Sequence, residues 1–280
     1  MSRLRPDQDD VRVIVGDTHG DHVNLLALLR KIGAIDDQGV RQPGFWLCHV
    51  GDVIHAGHGV QADDLLCLNH VLELFDCVLY GNHETPFAFG LGKFAGMNDH
   101  LDCQSLLNRS VYEGRWQVAT SVDGHLICHG GLHPGLLRGD DVRAFRALRR
   151  RDLLDDPDAV ADAINDAFER RVRRREPEPL FDWCSALRGG RNVYGGVFWC
   201  DWRELMAAED KTPSPVAQIV GHTPRRNVQI AMDGKFICVD VGAALSGYVG
   251  AVVKRPGQDA WTAVRAGPGR PARELAAWQP

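Results

Sequence analysis

The stretch VRVIVGDTHGD, residues 11–21, carries a β-branched run into a glycine and then, at once, an aspartate, a histidine, another glycine and another aspartate. The run has the composition of a buried strand, and the polar residues after it are of the kinds that hold ligands from a loop. Asp17 and His19 lie two apart, so on an extended segment their side chains point to one side while Thr18 points to the other. An oxygen donor beside a nitrogen donor suits a borderline divalent ion such as Mn²⁺, Fe²⁺ or Zn²⁺ better than Ca²⁺, which prefers oxygens alone. Taken singly, a strand ending in D-x-H fits an ordinary turn as well.

Outward from this stretch the same pattern recurs. Residues 22–32 (HVNLLALLRKI) have leucines at helical spacing and stop at Gly33. Residues 45–50 (FWLCHV) predict a second buried strand, which runs into Gly51 and Asp52. A helix fits residues 60–74, and a third strand, 77–80, runs into Gly81, Asn82, His83 and Glu84. Periodicity fades between 87 and 114, apart from a short helical piece over 102–108. Residues 116–121 and 125–128 flank a turn at Asp123-Gly124 and predict a hairpin whose second strand ends in His129 and Gly130. Residues 216–220 form a strand that ends in Gly221 and His222. A second hairpin turns at Asp233-Gly234, and further strands fit 247–254 and 261–265. Strands alternating with helices make this an α/β chain, and in open α/β sheets the loops beyond the carboxyl ends of the strands converge on one site.

With 280 residues, 44% of them hydrophobic, the chain can bury a sizeable core as a single domain spanning 1–280. A formal charge of −5 argues against nonspecific nucleic-acid binding. No apolar run approaches a secretion signal or a membrane span, so the expectation is a cytoplasmic protein with no membrane partner. Eight cysteines are scattered without C-x-x-C spacing, and they read as buried free thiols in a reducing compartment. Residues from about 140 to 205 form a mostly helical insertion, in which interleaved Asp and Arg describe solvated helix faces. Its last part, FDWCSALRGGRNVYGGVFWCDWRE (181–204), is dense in aromatics, glycine and arginine, as a loop that covers a site would be. From about 266 the chain is rich in Gly, Pro and Ala and reads as a loose tail.

Collected in order, the strand-end groups are Asp17, His19, Asp52, Asn82, His83, His129 and His222. Five strand ends that each pair such groups with a glycine point to a dinuclear metal site. The blocks GDTHGD, GDVIHAG, GNHE, HGGLHP and GHTP resemble the signature blocks of the calcineurin-like metallophosphoesterases. The HGGL and GNHE forms are most similar to the bacterial phosphoprotein-phosphatase-type branch, with its diadenosine tetraphosphatase relatives. The resemblance covers about residues 13–242. It implies a four-layer α/β metallophosphoesterase fold, two mixed β-sheets packed between helices.

Carried over position by position, the resemblance implies that Asp17, His19 and Asp52 hold one metal. Asp52, Asn82, His129 and His222 then hold the other, with the Asp52 carboxylate bridging. Two such ions, Mn²⁺ first with Fe, Zn or Ni as alternatives, turn a bridging water into a hydroxide that attacks phosphorus. His83 is implied as the group that protonates the leaving oxygen, and Asp240, in VDVG, as a support behind the ligands.

Some family positions differ. Where the phosphatase branch has Asp-Arg in its second block this chain has His55-Ala56, and where an arginine often precedes GNHE it has Tyr80. The GHTP block lacks a second histidine. An imidazole cannot support His83 as a carboxylate would, though His55 stands where it could take some of that part. Guanidinium forks for phosphate must come from elsewhere. The candidates are Arg188 and Arg191 in LRGGRN, Arg203 after FWCDW, and Arg225 and Arg226 after GHTP, with His55 a further candidate for substrate contact. The expected activity is hydrolysis of phosphate esters, first as a phosphomonoesterase of protein serine/threonine phosphatase type. The alternatives are a nucleotide phosphohydrolase or phosphodiesterase and, third, a metal-bound binding protein with little turnover. The substrate is then a phosphorylated small molecule, a nucleotide or a phosphoprotein.

Overall fold

The computed structural model describes residues 5–55, 62–90, 101–138, 154–267 and 270–274. Their strands form two mixed sheets. In the first, β1 (Val11–Val15), β2 (Phe45–His49), β3 (Cys77–Leu79) and β4 (Trp116–Gln117) run parallel. The antiparallel strands β10 (Val249–Lys254), β11 (Thr262–Gly267) and β12 (Arg270–Glu274) extend the sheet beyond β1. The second sheet has the order β5 (Ala119–Val122), β6 (His125–Cys128), β7 (Ala217–Val220), β9 (Phe236–Cys238), β8 (Gln229–Ala231), with β6, β7 and β9 parallel.

Period-two alternation places both faces of these strands in cores. Val13, Val15 and Leu47 pack toward helix α1 (His22–Ile32), against Leu25, Leu28 and Leu29. Ile14, Trp46 and Cys48 point the other way, onto Ile127, Ile219 and Ile237 of the second sheet. Each large side chain buried this way contributes about 1.5–3 kcal/mol. The outer face of the second sheet is covered in its turn. Helix Pro157–Arg174 lies on β5 and β6, and helix Trp202–Glu209 on Val220, Phe236 and Cys238. The layers are therefore helix, sheet, sheet, helix. Helix α1 spans the residues its leucines predict, because Asp21 caps it by accepting from Asn24 N at 3.0 Å and Gly33 ends it at φ 86°.

The expected strand over 116–121 is divided. Trp116–Gln117 pairs with β3 in the first sheet, whereas Ala119–Val122 pairs with β6 in the second, so the hairpin keeps only its second half. The amides of Val118 and Ala119, which lose a common ladder at the crossing, both donate to Asn165 Oδ1 at 2.9 and 3.1 Å. That acceptor is more than forty residues away, and nothing local announces it. The short helix expected over 102–108 runs from Leu101 to Tyr112. Pairing continues through β12, inside the segment from about 266 whose composition reads as a loose tail.

In the insertion, the described residues carry Pro157–Arg174, the short helix Pro179–Asp182 and a turn at Ala186–Arg188. The helical spacing of RAFRALRRRDLL, and Ala56, lie outside the described residues or almost so. All eight cysteines are free, and seven are buried. No helix among the described residues is long and apolar enough to cross a membrane. The strands β1, β2, β3, β6 and β7 turn their carboxyl ends toward a common region where the two sheets meet.

Candidate metal centre

Five strand ends build the site. β1 delivers Asp17 and His19, β2 delivers Asp52, β3 delivers Asn82 and His83, β6 delivers His129, and β7 delivers His222. All but His83 are buried, and the His83 side chain is 29% exposed, which leaves it facing the opening. Asp52 is the centre of the group. Its Oδ2 lies 3.3 Å from His129 Nε2, 3.7 Å from His19 Nε2 and 3.9 Å from His83 Nε2. Asn82 Oδ1 lies 3.0 Å from His129 Nε2 and 2.8 Å from His222 Nδ1. Ligand-type atoms of His19, Asp52 and His83 lie within 4.8 Å of one another, and so do those of Asp52, His129 and His222.

The chain accepts backbone strain to make this convergence. His19, Asp52 and His222 have φ values of 46°, 54° and 64°, the left-handed region that costs a residue with a side chain about 1 kcal/mol or more. Glycines supply the close approach. A methyl group at Gly81 would collide with Asp52 Oδ1, and one at Gly221 with Asp17 Oδ1.

Backbone carbonyls fix which nitrogen each imidazole presents. His129 Nδ1 lies 3.0 Å from Val50 O, and His19 Nδ1 lies 3.2 Å from both Ile54 O and His55 O. A carbonyl only accepts, so in each ring Nδ1–H donates and the Nε2 lone pair is turned to Asp52. His222 N donates to the Asp17 carboxylate at 3.1–3.2 Å, tying β7 to β1 across the two sheets.

The electrostatics describe a place for positive charge. Burial, then the neighbouring carboxylates of Asp240 and Asp52, push Asp17 well above the usual carboxylate range. Burial likewise raises Asp240, which lies behind Asp17 and accepts from Gly242 N at 2.8 Å. Although burial alone would raise Asp52, the surrounding histidines, His129 foremost, hold it well below the usual range. His222 is pushed down by burial, then by His129, and its buried Nε2 has no hydrogen-bond partner. Carboxylate, amide and imidazole donors are the mixed oxygen and nitrogen set that suits a borderline divalent ion. A cation here would relieve the buried carboxylates, so the residues present fit such an ion.

The last residue of the GNHE block holds the site together from behind. Glu84 is fully buried, and its carboxylate accepts from the amides of Gly81, Asp52, Val53 and Ile54 at 2.9–3.3 Å. It locks the β2 and β3 loops together. Burial, and then Asp52, push it up to about 7. The spacing of the final glutamate in GNHE gives no hint of this, because the four donors come from two separate loops.

The arginine candidates separate clearly. Arg188 Nη2 donates to His222 O at 3.1 Å and Thr223 Oγ1 at 2.8 Å, and its Nε lies 3.1 Å from Asp201 Oδ2. It stands at the rim of the centre. Arg203 is paired with Asp201, with a side chain 60% exposed, and Arg191 is exposed. Among the described residues, no contact brings either to the ligand group. Asp201, the acid of FWCDW, also caps helix Trp202–Glu209, so that block anchors arginines rather than touching the centre itself. Tyr80 is buried, stacked on Trp116 and tilted against Phe168, and belongs to the core. His55 Nδ1 meets His83 Nδ1 at 2.7 Å.

The profile of the calcineurin-like phosphoesterase family matches residues 12–226. Among solved structures, the chain is similar to a cold-active protein tyrosine phosphatase, with a TM-score of 0.60 and 18% identity over 97% of this chain and 82% of that one. It is similar also to a cold-active protein-tyrosine phosphatase of a psychrophilic Shewanella species, with a TM-score of 0.57 and 18% identity over 98% and 84% of the two chains. A third likeness is to a candidate diadenosine tetraphosphatase, with a TM-score of 0.52 and 18% identity over 94% and 97%. At such identity these likenesses carry the fold alone.

Proposed function

This chain belongs to the calcineurin-like phosphoesterases, and from that premise we propose that it hydrolyses phosphomonoesters at a dinuclear metal centre held by Asp17, His19, Asp52, Asn82, His129 and His222. The observation that carries this reading is the position of Asp52, whose carboxylate faces histidines on both sides, His19 and His83 in one group and His129 and His222 in the other. In the proposed assignment Asp17 and His19 complete one ion's ligands and Asn82, His129 and His222 the other's, with Asp52 shared. Bound divalent ions, Mn²⁺ first, would supply Lewis-acid activation of water and neutralise the phosphate.

The chain's own residues supply the rest. Glu84 and the left-handed turns hold the donors in place before substrate arrives, so that little reorganisation is left for the reaction. His83, the exposed member of the group, is placed to give its Nε2 proton to the departing alkoxide. Arg188, at the backbone of His222, offers the guanidinium that the phosphatase branch draws from other positions. The aromatic loop around residues 181–204 puts Trp199 edge-on to His222, with ring centroids 5.8 Å apart, and limits water on that side.

The test is hydrolysis of p-nitrophenyl phosphate after chelation and reconstitution. Turnover restored by Mn²⁺, and slower turnover of bis(p-nitrophenyl) phosphate, is the expected result. Absence of turnover with every divalent ion tried would overturn the reading, and a strong preference for the bis-ester would replace it with a diesterase.

A further inference from the structure

A polar cavity of about 710 Å³ is lined by Arg225, Arg226, Asn227, Ser246, Tyr248 and Arg265 among others, with no acidic side chain in its lining. Its walls come from the loop after His222, from residues 241–248 before β10, and from β11. Arg265 is only 9% exposed, and its guanidinium lies over the Tyr248 ring, 4.6 Å from the centroid. Its Nη1 donates to Arg226 O at 2.8 Å and Asn227 Oδ1 at 2.7 Å. These bonds fix the turn that carries Arg225 and Arg226. Arg225 Nε is buried without a hydrogen-bond partner. None of the three arginines has a carboxylate within ion-pair distance among the described residues, whereas Arg12, Arg41, Arg171 and Arg188 all do. Guanidinium groups gathered in a recess and left without a counter-charge are a site for an anion from outside, and their fork geometry matches phosphate.

The sheet register locates this recess relative to the metal donors. Arg265 pairs with Gly250, and Gly250 O accepts from Gly16 N at 2.9 Å, one residue before Asp17. Two strand spacings place the Arg265 backbone about 10 Å from that strand end. Arg225 follows His222 by three residues, a span of at most about 11 Å. The backbones of two of its arginines therefore lie within about 11 Å of the strand ends that carry Asp17 and His222.

We propose that this cavity receives a second phosphate group of the substrate while the ester to be cleaved sits at the metal centre. The substrates of choice are then small molecules carrying two or more phosphates separated by a spacer. The inference rests on the phosphoesterase reading above, and adds no covalent step to it.

The experiment compares 1,6-hexanediol bisphosphate with hexyl phosphate, on the Mn²⁺-loaded full chain and on an Arg225→Gln/Arg226→Gln variant, with phosphate release as the readout. The expected result is a kcat/KM ratio of about tenfold or more in favour of the bisphosphate, falling in the variant to about two, the statistical factor for two equivalent ends. A ratio near two in the unaltered chain, or one that the variant leaves in place, would overturn the proposal. Failure to cleave either ester would count against the phosphoesterase reading instead, and a separate measurement then decides the cavity. Calorimetric titration of the chelator-treated protein with tripolyphosphate should show binding that weakens about tenfold or more in the variant, and equal binding by both proteins would refute the site. Arginine-dependent tripolyphosphate binding with an unchanged ester ratio would also refute it as a substrate subsite. Arg226→Gln alone, at an exposed position, repeats both measurements if the double variant does not fold.

Discussion

His55 Nδ1 and His83 Nδ1 stand 2.7 Å apart, so one ring donates and the other accepts. Burial, and then the neighbouring His83, push His55 down to about 3, which keeps it neutral near pH 7. A neutral His55 that accepts at Nδ1 leaves His83 as the Nδ1 donor, and as the imidazolium His83 then also has an Nε2 proton to give. In the proposed mechanism His55 would take the supporting position that a carboxylate fills in the phosphatase branch, but as an uncharged acceptor. His83→Ala should retain its metals and lose about 10²-fold in kcat on an alkyl phosphate. His55→Asp, which tolerates the φ of 71° found there, should move the basic limb of the kcat profile upward by about one pH unit. An unmoved limb would show that His55 does not act through His83.

Asp52 faces both ligand groups, so its loss should remove more than one ion's share. Asp52→Asn is expected to reduce the metal content of the folded chain from two ions to less than one, and to abolish turnover, as measured by elemental analysis and phosphate release. Gly81→Ala reaches the same end by another route, because its methyl group displaces Asp52 Oδ1. Full metal content in Gly81→Ala would contradict that geometry.

Arg188 and Arg203 share Asp201, but only Arg188 reaches the His222 backbone. Arg188→Ala should raise KM for a phosphomonoester about tenfold, whereas Arg203→Ala should change it less than about twofold. Equal effects would mean that the aromatic loop matters as a whole and not through one guanidinium.

His49 sits beneath the site, where it accepts from Gly51 N and donates from Nε2 to Thr18 Oγ1, each at 3.2 Å. Burial pushes it down to about 3 from an ordinary 6.5. Between those values the unfolded chain binds a proton that the folded chain refuses, so stability falls as pH drops through that window. At about 1.4 kcal/mol per unit, His49 accounts for about 2–3 kcal/mol of the stability lost between pH 7 and 4.5. Urea unfolding of chelator-treated protein at those two pH values should show a loss smaller by that amount in His49→Gln, and an unchanged loss would assign the acid sensitivity to other groups.

The sequence disclosed the strand-end groups that converge and the fold that presents them, because both depend on local signals. Strand ends rich in β-branched residues, each with a glycine and a metal-type side chain after it, can be read one at a time, and α1 begins and ends where Asp21 and Gly33 predict. What stayed hidden depends on distant partners. The crossing at Val118 is satisfied by Asn165, the β2 and β3 loops are joined by Glu84, and Arg188 is held by Thr223. The cavity at Arg265 escaped for the same reason, since its three arginines come from two places in the chain.

The hydrogen bond from His222 N to Asp17 joins residues 205 positions apart and closes the ring of donors between the two sheets. Loops that long close late in folding. During synthesis, the first two hundred residues hold four of the five donor-bearing strand ends and still lack the last. The ring of donors therefore closes only after β7 has joined its sheet, and a nascent chain that stops short of β7 holds an incomplete set.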